Sequence, residues 1–319
     1  MENKINPVKE YNTLCNNQSL TERFKLWENY RAANAKWIEE TCGKVPQNSC
    51  VAVLGAGNCD DIDLEKLSNI YSEIYLFDID SKALDRGTQK YNINQNCKII
   101  KVGDINFINF AQINFFEDMM DIVGSTDTSD STKFKRLKKY FIKKGSEIKP
   151  CSDMSVYYKK FDTVISSAVY TQIGRVVLSS CKLDSYIKNE KILKDLIKEY
   201  MYIENKIYDA YNNLLLDLVK DGGNVILFTD YAEFTRDNPN STTGLANVHK
   251  AMCSGDYSKV EESCFGFKIG NATQGISNLL NKVNGYVNIP TTLRITHFPW
   301  GFSTDKVYIV KYIYIKKVF

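Results

Sequence analysis

The sequence predicts an α/β protein built on a mostly parallel sheet covered by helices on both faces and closed by an antiparallel hairpin. Three observations carry this. Short apolar runs alternate with helical segments from Cys50 onward. The runs are continuous rather than alternating, as expected of strands buried on both faces. The last stretch, "KVYIVKYIYIKKV", changes style and alternates with period two, with Val307, Ile309, Lys311, Ile313 and Ile315 on one side.

Taken in order, "SLTERFKLWENYRAANAKWIEE" predicts an N-terminal helix. Ser19 and Glu22 have capping-box spacing, and Leu20, Phe24, Trp27, Tyr30 and Ile38 share one face. Gly43 and Pro46 end it. Five strands are expected from "CVAVLG", "EIYLFDID", "CKIIKVGDI", "FDTVISSAV" and "GGNVILFTD". Helices are expected from "DIDLEKLSNI", from "SKALDRGTQKYN" capped by Asp80 or Ser81, and over residues 184–220. "TTLRITHF", "PWGFSTD" and "KVYIVKYIYIKKV" read as strand, loop, strand.

One domain over 1–319 is expected. Residues 1–48 form a helical cover; 49–105, 161–232 and 291–319 form the core; 106–160 and 235–290 are insertions. The first insertion holds "KFKRLKKYFIKK", a basic helix with Phe134, Leu137 and Phe141 on one face. Long insertions in compact domains are often functional, and a lid over a small-molecule pocket is expected of it rather than an RNA surface.

Composition narrows the class of function. A net charge of +3 gives no general case for DNA, RNA or an anionic membrane. No apolar run approaches the ~20 residues that span a bilayer, and "MENKINPVKEYN" lacks the apolar region of an export signal. Nine cysteines without a C-x-x-C pair fit a reducing cytoplasm. With only His249 and His297 and no ligand spacing, no metal is expected.

The chemistry centres on "VAVLGAGNCDD". A dinucleotide fingerprint needs G-x-G-x-x-G; here Gly55 and Gly57 are followed by Asp60, whose carboxylate would repel a pyrophosphate. Asp60 and Asp61 also suit the N-terminal end of the following helix. Asp78 closes the second strand, 21 residues after Gly57, where an acidic residue can accept from both ribose hydroxyls. Asp104 closes the third strand and can accept from an adenine amino group. Either can instead be a simple cap or turn residue.

"VAVLGAGNCDD", "LFDID", "VGDI", "FDTVISS", "DGGNVILF" and the closing "RITHFPWGFSTDKVYIVKYIYIKK" resemble the successive motifs of class I S-adenosylmethionine-dependent methyltransferases. The resemblance implies a doubly wound, Rossmann-like sheet of seven strands with the last inserted antiparallel. It implies methylation of a small-molecule acceptor at oxygen or nitrogen, giving S-adenosylhomocysteine. Gly55, Ala56 and Gly57 would let the backbone approach the methionine part, Asp78 would hold the ribose, and Asp104 the adenine amino group between Ile79 and Ile105. Ser166 and Ser167 would lie near the sulfonium. Two positions depart from the pattern: Leu54 replaces a common acidic residue, and Cys59 replaces a common third glycine.

"ISSAVYTQ" is not the Asn/Asp-Pro-Pro-Tyr/Phe loop of enzymes that methylate amino groups of DNA bases or glutamine. Tyr170 and Gln172 follow it and either face the acceptor or pack on the next helix. His297, expected at the end of the sixth strand, is a candidate base for the acceptor proton, and a structural histidine otherwise. Trp300 either lines the acceptor site or, with Phe302, caps the core. Arg31 is a candidate partner for the cofactor carboxylate, or an ion-paired helix residue, and Tyr11 a candidate lid residue. Two readings compete with a small-molecule enzyme: an RNA or protein methyltransferase using the basic insertion, and a protein that binds the cofactor without turnover.

Overall fold

The computed structural model describes residues 7–17, 20–126, 128–174, 181–285 and 292–317. Seven strands form one sheet: β1 (Cys50–Leu54), β2 (Glu73–Phe77), β3 (Lys98–Val102), β4 (Phe161–Ser167), β5 (Val219–Thr235), β6 (Thr292–Ser303) and β7 (Lys306–Lys316). Their order is β3-β2-β1-β4-β5-β7-β6, with β7 antiparallel to both neighbours and every other pairing parallel. This is the mixed sheet of the class I methyltransferase topology.

The period-two geometry of a strand sends alternate side chains to opposite faces. On one face Ala52, Leu54, Phe77, Val164, Leu227 and Ile313 pack in one core. It is covered by α6 (Phe115–Gly124), α7 (Asp130–Gly145), α8 (Glu190–Leu218) and α11 (Gly270–Gly285). On the other face Val51, Val53, Leu76, Ile165, Phe228 and Tyr312 pack against α3 (Glu28–Cys42) and α4 (Leu64–Ile70). The central strands are therefore apolar throughout; all five residues of β1 are buried.

The N-terminal segment departs from the single expected helix. A first helix, α1 (Pro7–Asn17), precedes it, and the second part divides at Trp27 into α2 (Leu20–Leu26) and α3. Trp27 leaves helical geometry (φ −92°, ψ 12°), and its indole packs edge-on against Trp300 and donates to the Phe302 carbonyl. Anchoring that ring to the hairpin bends the chain away from a straight helix. Ser19, and with it the capping box, lies outside the described residues, as does Thr291.

The hairpin also differs from expectation. "PWGFSTD" is not a loop: β6 runs through Pro299 and Trp300 to Ser303, and only Thr304 and Asp305 separate it from β7. Pro299 is tolerated because β6 is the sheet's edge and lacks a second partner to receive an N–H. Likewise β5 extends to Thr235, because β7 is long enough to pair with it past a bulge at Tyr231.

Candidate functional site

The parallel register aligns Leu54 with both Phe77 and Ser166, and Ser167 with Phe228. The residues following β1, β2 and β4, and Asp230 within β5, therefore meet at one edge of the sheet. A cleft of about 780 Å³ opens there. Its walls come from the glycine turn, from Ser167 to Gln172, from Asp230 to Asn238, from α1 and α2, from residues 266–271, and from Trp300, Phe302, Lys306 and Tyr308.

Gly55 must be glycine. Its φ is +72°, and a Cβ there would stand 2.6 Å from Val169 Cγ2 and 3.0 Å from the Ser167 carbonyl. Gly57 also has positive φ, and its amide donates to Asp78 Oδ2 at 2.8 Å. That bond orders the loop, a task for which Leu54, fully buried, has no polar group. Cys59 takes the left-handed conformation (φ +54°) where a third glycine is common. The close approach between loop and helix is supplied instead by Gly87 in α5 (Ser81–Thr88), where a Cβ would lie 2.8 Å from the Asn58 carbonyl.

The acidic continuation is held from outside. Arg31 donates to the carbonyls of Phe24 (2.8 Å) and Asp60 (2.9 Å), and Asn34 donates to that of Asp61 (2.8 Å). Lys90 pairs with the Asp60 carboxylate. The Tyr91 hydroxyl lies 2.6 Å from the Cys59 carbonyl and 2.7 Å from that of Ile62. The carbonyls of Asn58, Cys59, Asp60, Asp61 and Ile62 thus each meet a donor from outside the loop, which fixes this stretch.

Two carboxylates on the cleft wall are of a different kind. Asp61 accepts from the Ser167 hydroxyl, and Asp230 from the Thr171 hydroxyl at 3.2 Å. Among the described residues neither forms an ion pair. Burial pushes each carboxyl up to about 6, because the ionised form has lost its water. Glu233 also lines the cleft but is matched by Lys306 at 2.9 Å.

Of the residues expected at the cofactor, Gly55, Ala56, Gly57, Ser167 and Tyr11 line the cleft. Ser166 does not: its hydroxyl turns to the other face of the sheet, 2.7 Å from that of Tyr211. Arg31 joins the Phe24 carbonyl of α2 to the Asp60 carbonyl of the loop, so it supports the site and is not among the residues that line the cleft. Asp78 is buried, its two oxygens accepting from Gly57 and Asp80 amides, and burial pushes it up to about 6. Asp104 is exposed but paired with Lys9 of α1, which holds its carboxyl below the ordinary value. Ile79 and Ile105 are buried beside them. Helix α1 thus lies over the place expected for the adenosine half, with Asn16 donating to Asp80 and accepting at its carbonyl from Asn58.

Of the residues expected at the acceptor, Gln172 and Trp300 line the cleft. Tyr170 does not: it is fully buried, bonded to Asn212 and stacked edge-on with Tyr208 and Tyr211. His297 does not either. Because β6 continues past Pro299, His297 stands mid-strand opposite Lys311, buried, with Nε2 3.3 Å from Glu261 Oε1. The first insertion supplies no wall of the cleft. Its α7 packs on α8 and on α6, with Leu137 and Phe141 in the core and Lys133 and Lys144 buried. The second insertion supplies the wall, through Phe267, Lys268 and Asn271.

Sequence reasoning missed Asp61, Asp230, Trp27 and Glu233 as cleft residues. One signal was available for Asp230: "ILFTD" belongs to the strand beside β4, so its carboxyl end had to share the edge with Ser167. Among the described residues no group of three histidine, cysteine or acidic side chains is placed to hold a metal ion, and no helix is long and apolar enough to cross a membrane.

No protein-family model and no curated protein matches the chain. Solved structures similar to it include a geranyl diphosphate methyltransferase in complex with S-adenosylmethionine, at 7% identity, covering 90% of this chain and 85% of that one, TM-score 0.37. Another is a phosphoethanolamine N-methyltransferase 2 of Haemonchus contortus, at 8% identity, covering 98% and 61%, TM-score 0.44. A third is an rRNA methylase from Streptococcus thermophilus, at 11% identity, covering 90% and 95%, TM-score 0.32. With every one of these scores below 0.5, the likenesses carry no argument about activity.

Proposed function

We propose that this chain is an S-adenosylmethionine-dependent methyltransferase acting on a small-molecule acceptor, at oxygen or nitrogen, and releasing S-adenosylhomocysteine. The observation that supports it most is the position of the cleft. It opens directly on the Gly55–Gly57 turn, at the carboxyl edge of a 3-2-1-4-5-7-6 sheet, where open α/β sheets bind ligands. Chain segments from both ends of the sequence and from the second insertion enclose it, which favours a small acceptor.

The residues present fit the cofactor. The glycine turn leaves backbone exposed to the methionine half, and Asp61 offers a carboxylate for its ammonium group. Each Asp78 oxygen uses one backbone N–H and keeps capacity for a ribose hydroxyl. Asp104 with Ile79 and Ile105 would hold the adenine once Lys9 withdraws, and an exposed pair of that kind is worth only about 0–1 kcal/mol. When bound, the cofactor supplies an electrophilic methyl group on a sulfonium, chemistry that needs orientation above all. The chain supplies the orientation through the rigid turn and the aromatic wall of Trp27, Trp300 and Phe302, whose rings lie 4.6 to 5.2 Å apart.

A protein that binds the cofactor without turnover is the second reading, favoured by one observation: Lys9 already occupies Asp104. Calorimetric titration with S-adenosylhomocysteine, with NAD as control, tests the cofactor assignment. Binding of the first alone is expected. Binding of NAD, or of neither, would refute it. Transfer of a labelled methyl group to an acceptor then separates enzyme from binder.

A further inference from the structure

Two carboxylates on the cleft wall, Asp61 and Asp230, have no cation partner among the described residues. Among those residues the cations of the cleft are already engaged. Lys306 pairs with Glu233, and Lys268 lies 3.5 Å from Glu261. Arg23 donates to the Cys15 carbonyl and stands over the rings of Trp27 and Phe302. Asp230 is left with a single neutral side-chain partner, Thr171, although it is nine-tenths buried on the cleft wall. Asp61 is left with Ser167. Buried charges are ordinarily paired, since isolation from water costs several kcal/mol. The cofactor accounts for one of the two: its ammonium group falls to Asp61, which follows the glycine turn. Asp230 stands on β5, beyond β4 from that turn, and lines the same cleft as Phe267, Trp300 and Phe302.

We propose that the acceptor is an amine that enters as its ammonium ion, with Asp230 taking its charge and the aromatic wall taking its apolar body. The proposal rests on the methyltransferase reading of the same cleft. Carboxylate and aromatic faces together recognise a cationic nitrogen and reject its neutral and anionic analogues. Asp230 also solves a chemical problem. An ammonium nitrogen has no lone pair and cannot attack an electrophile. Transfer of one proton from it to the Asp230 carboxylate breaks an N–H bond and forms an O–H bond. The electron pair stays on nitrogen, and the neutral amine is then a nucleophile. A carboxyl pushed up to about 6 by burial holds that proton better than an ordinary aspartate does.

The test uses the full chain and three probes: S-adenosylhomocysteine, tryptamine, and its neutral analogue tryptophol, each titrated calorimetrically into wild type and Asp230→Asn. In the presence of S-adenosylhomocysteine, tryptamine is expected to bind wild type at least about tenfold more tightly than tryptophol. Asp230→Asn is expected to erase that preference while leaving S-adenosylhomocysteine affinity within about twofold. Equal binding of amine and alcohol to wild type, or an amine preference that survives Asp230→Asn, would overturn the amine assignment with the cofactor reading intact. Failure of S-adenosylhomocysteine to bind wild type would instead overturn the cofactor reading on which the assignment rests. Amide-resonance spectra of the variant establish that it is folded.

Discussion

Glu261 and Asp230 are both acidic residues at the β5–β7 end of the sheet, and the fold treats them oppositely. Glu261 is surrounded by Lys311, the Tyr231 hydroxyl and Lys268 at 3.5 Å, with His297 Nε2 lying 3.3 Å away. Burial works against its ionisation, but His297, Lys311 and Tyr231 beside it outweigh that and hold the carboxyl far below its ordinary value. Asp230 has one hydroxyl and no cation among the described residues, and burial wins. The difference separates a charge used to tie α10 (Tyr257–Ser263) to the hairpin from a charge kept available to a ligand. It also explains why His297, the titratable side chain that the sequence singles out, belongs to architecture.

The comparison can be broken at four points, taken from the largest expected effect. Glu261→Gln strips the anion from buried Lys311 and from Lys268, and should lower unfolding free energy by roughly 2 to 4 kcal/mol in chemical denaturation. A loss within experimental error would mean that the cluster is not structural. Asp78→Ala removes a carboxylate which, like Asp230, is buried without a cation. It should weaken S-adenosylhomocysteine binding by roughly 1.5 to 3 kcal/mol, and unchanged affinity in a folded variant would remove Asp78 from the ribose site.

Asp230→Asn should do the opposite of Glu261→Gln in the protein without ligand. A carboxyl whose folded value lies above its unfolded one favours folding at low pH; that contribution is full below the unfolded value near 3.8 and is lost as pH rises through about 6. At pH 7.5 the variant should therefore be more stable than wild type, by roughly 1 to 3 kcal/mol. At pH 5, partway between the unfolded and folded values, the advantage of the variant should shrink to roughly half. Equal melting at both pH values would mean that Asp230 carries a counter-ion. The smallest effect belongs to Lys9→Ala. Freeing Asp104 from an exposed pair should tighten S-adenosylhomocysteine binding by less than about 1 kcal/mol; weaker binding would mean that Lys9 is part of the bound site.

How much of this was legible in the sequence follows from what each feature depends on. The order of strands and helices, the glycine turn, Asp78 at the end of β2 and the closing hairpin depend on local pattern, and the sequence carries them. The length of β6 depends on its partner: a strand ends where pairing ends, and β7 pairs as far as Lys306, so Pro299 did not stop it. Because that boundary moved, His297 moved from the rim to the interior. The break at Trp27 depends on an aromatic contact with Trp300, hundreds of residues away in the chain. The charge state of Asp61 and Asp230 depends on which cations fail to stand opposite them, and no local pattern records that. The first insertion looked like a lid because it is long and basic. Its apolar face was the better guide, since Leu137 and Phe141 bind it to α8 and away from the cleft.

The most direct measurement is the proton titration of Asp230 by carboxyl carbon resonance in the ligand-free protein, with Asp230→Asn for assignment. A midpoint near 6, with no transition for Glu261 between pH 4 and 8, is the predicted result. A midpoint near 4 for Asp230 would show that its charge is already neutralised within the fold, and the cleft would then have no standing preference for a cation.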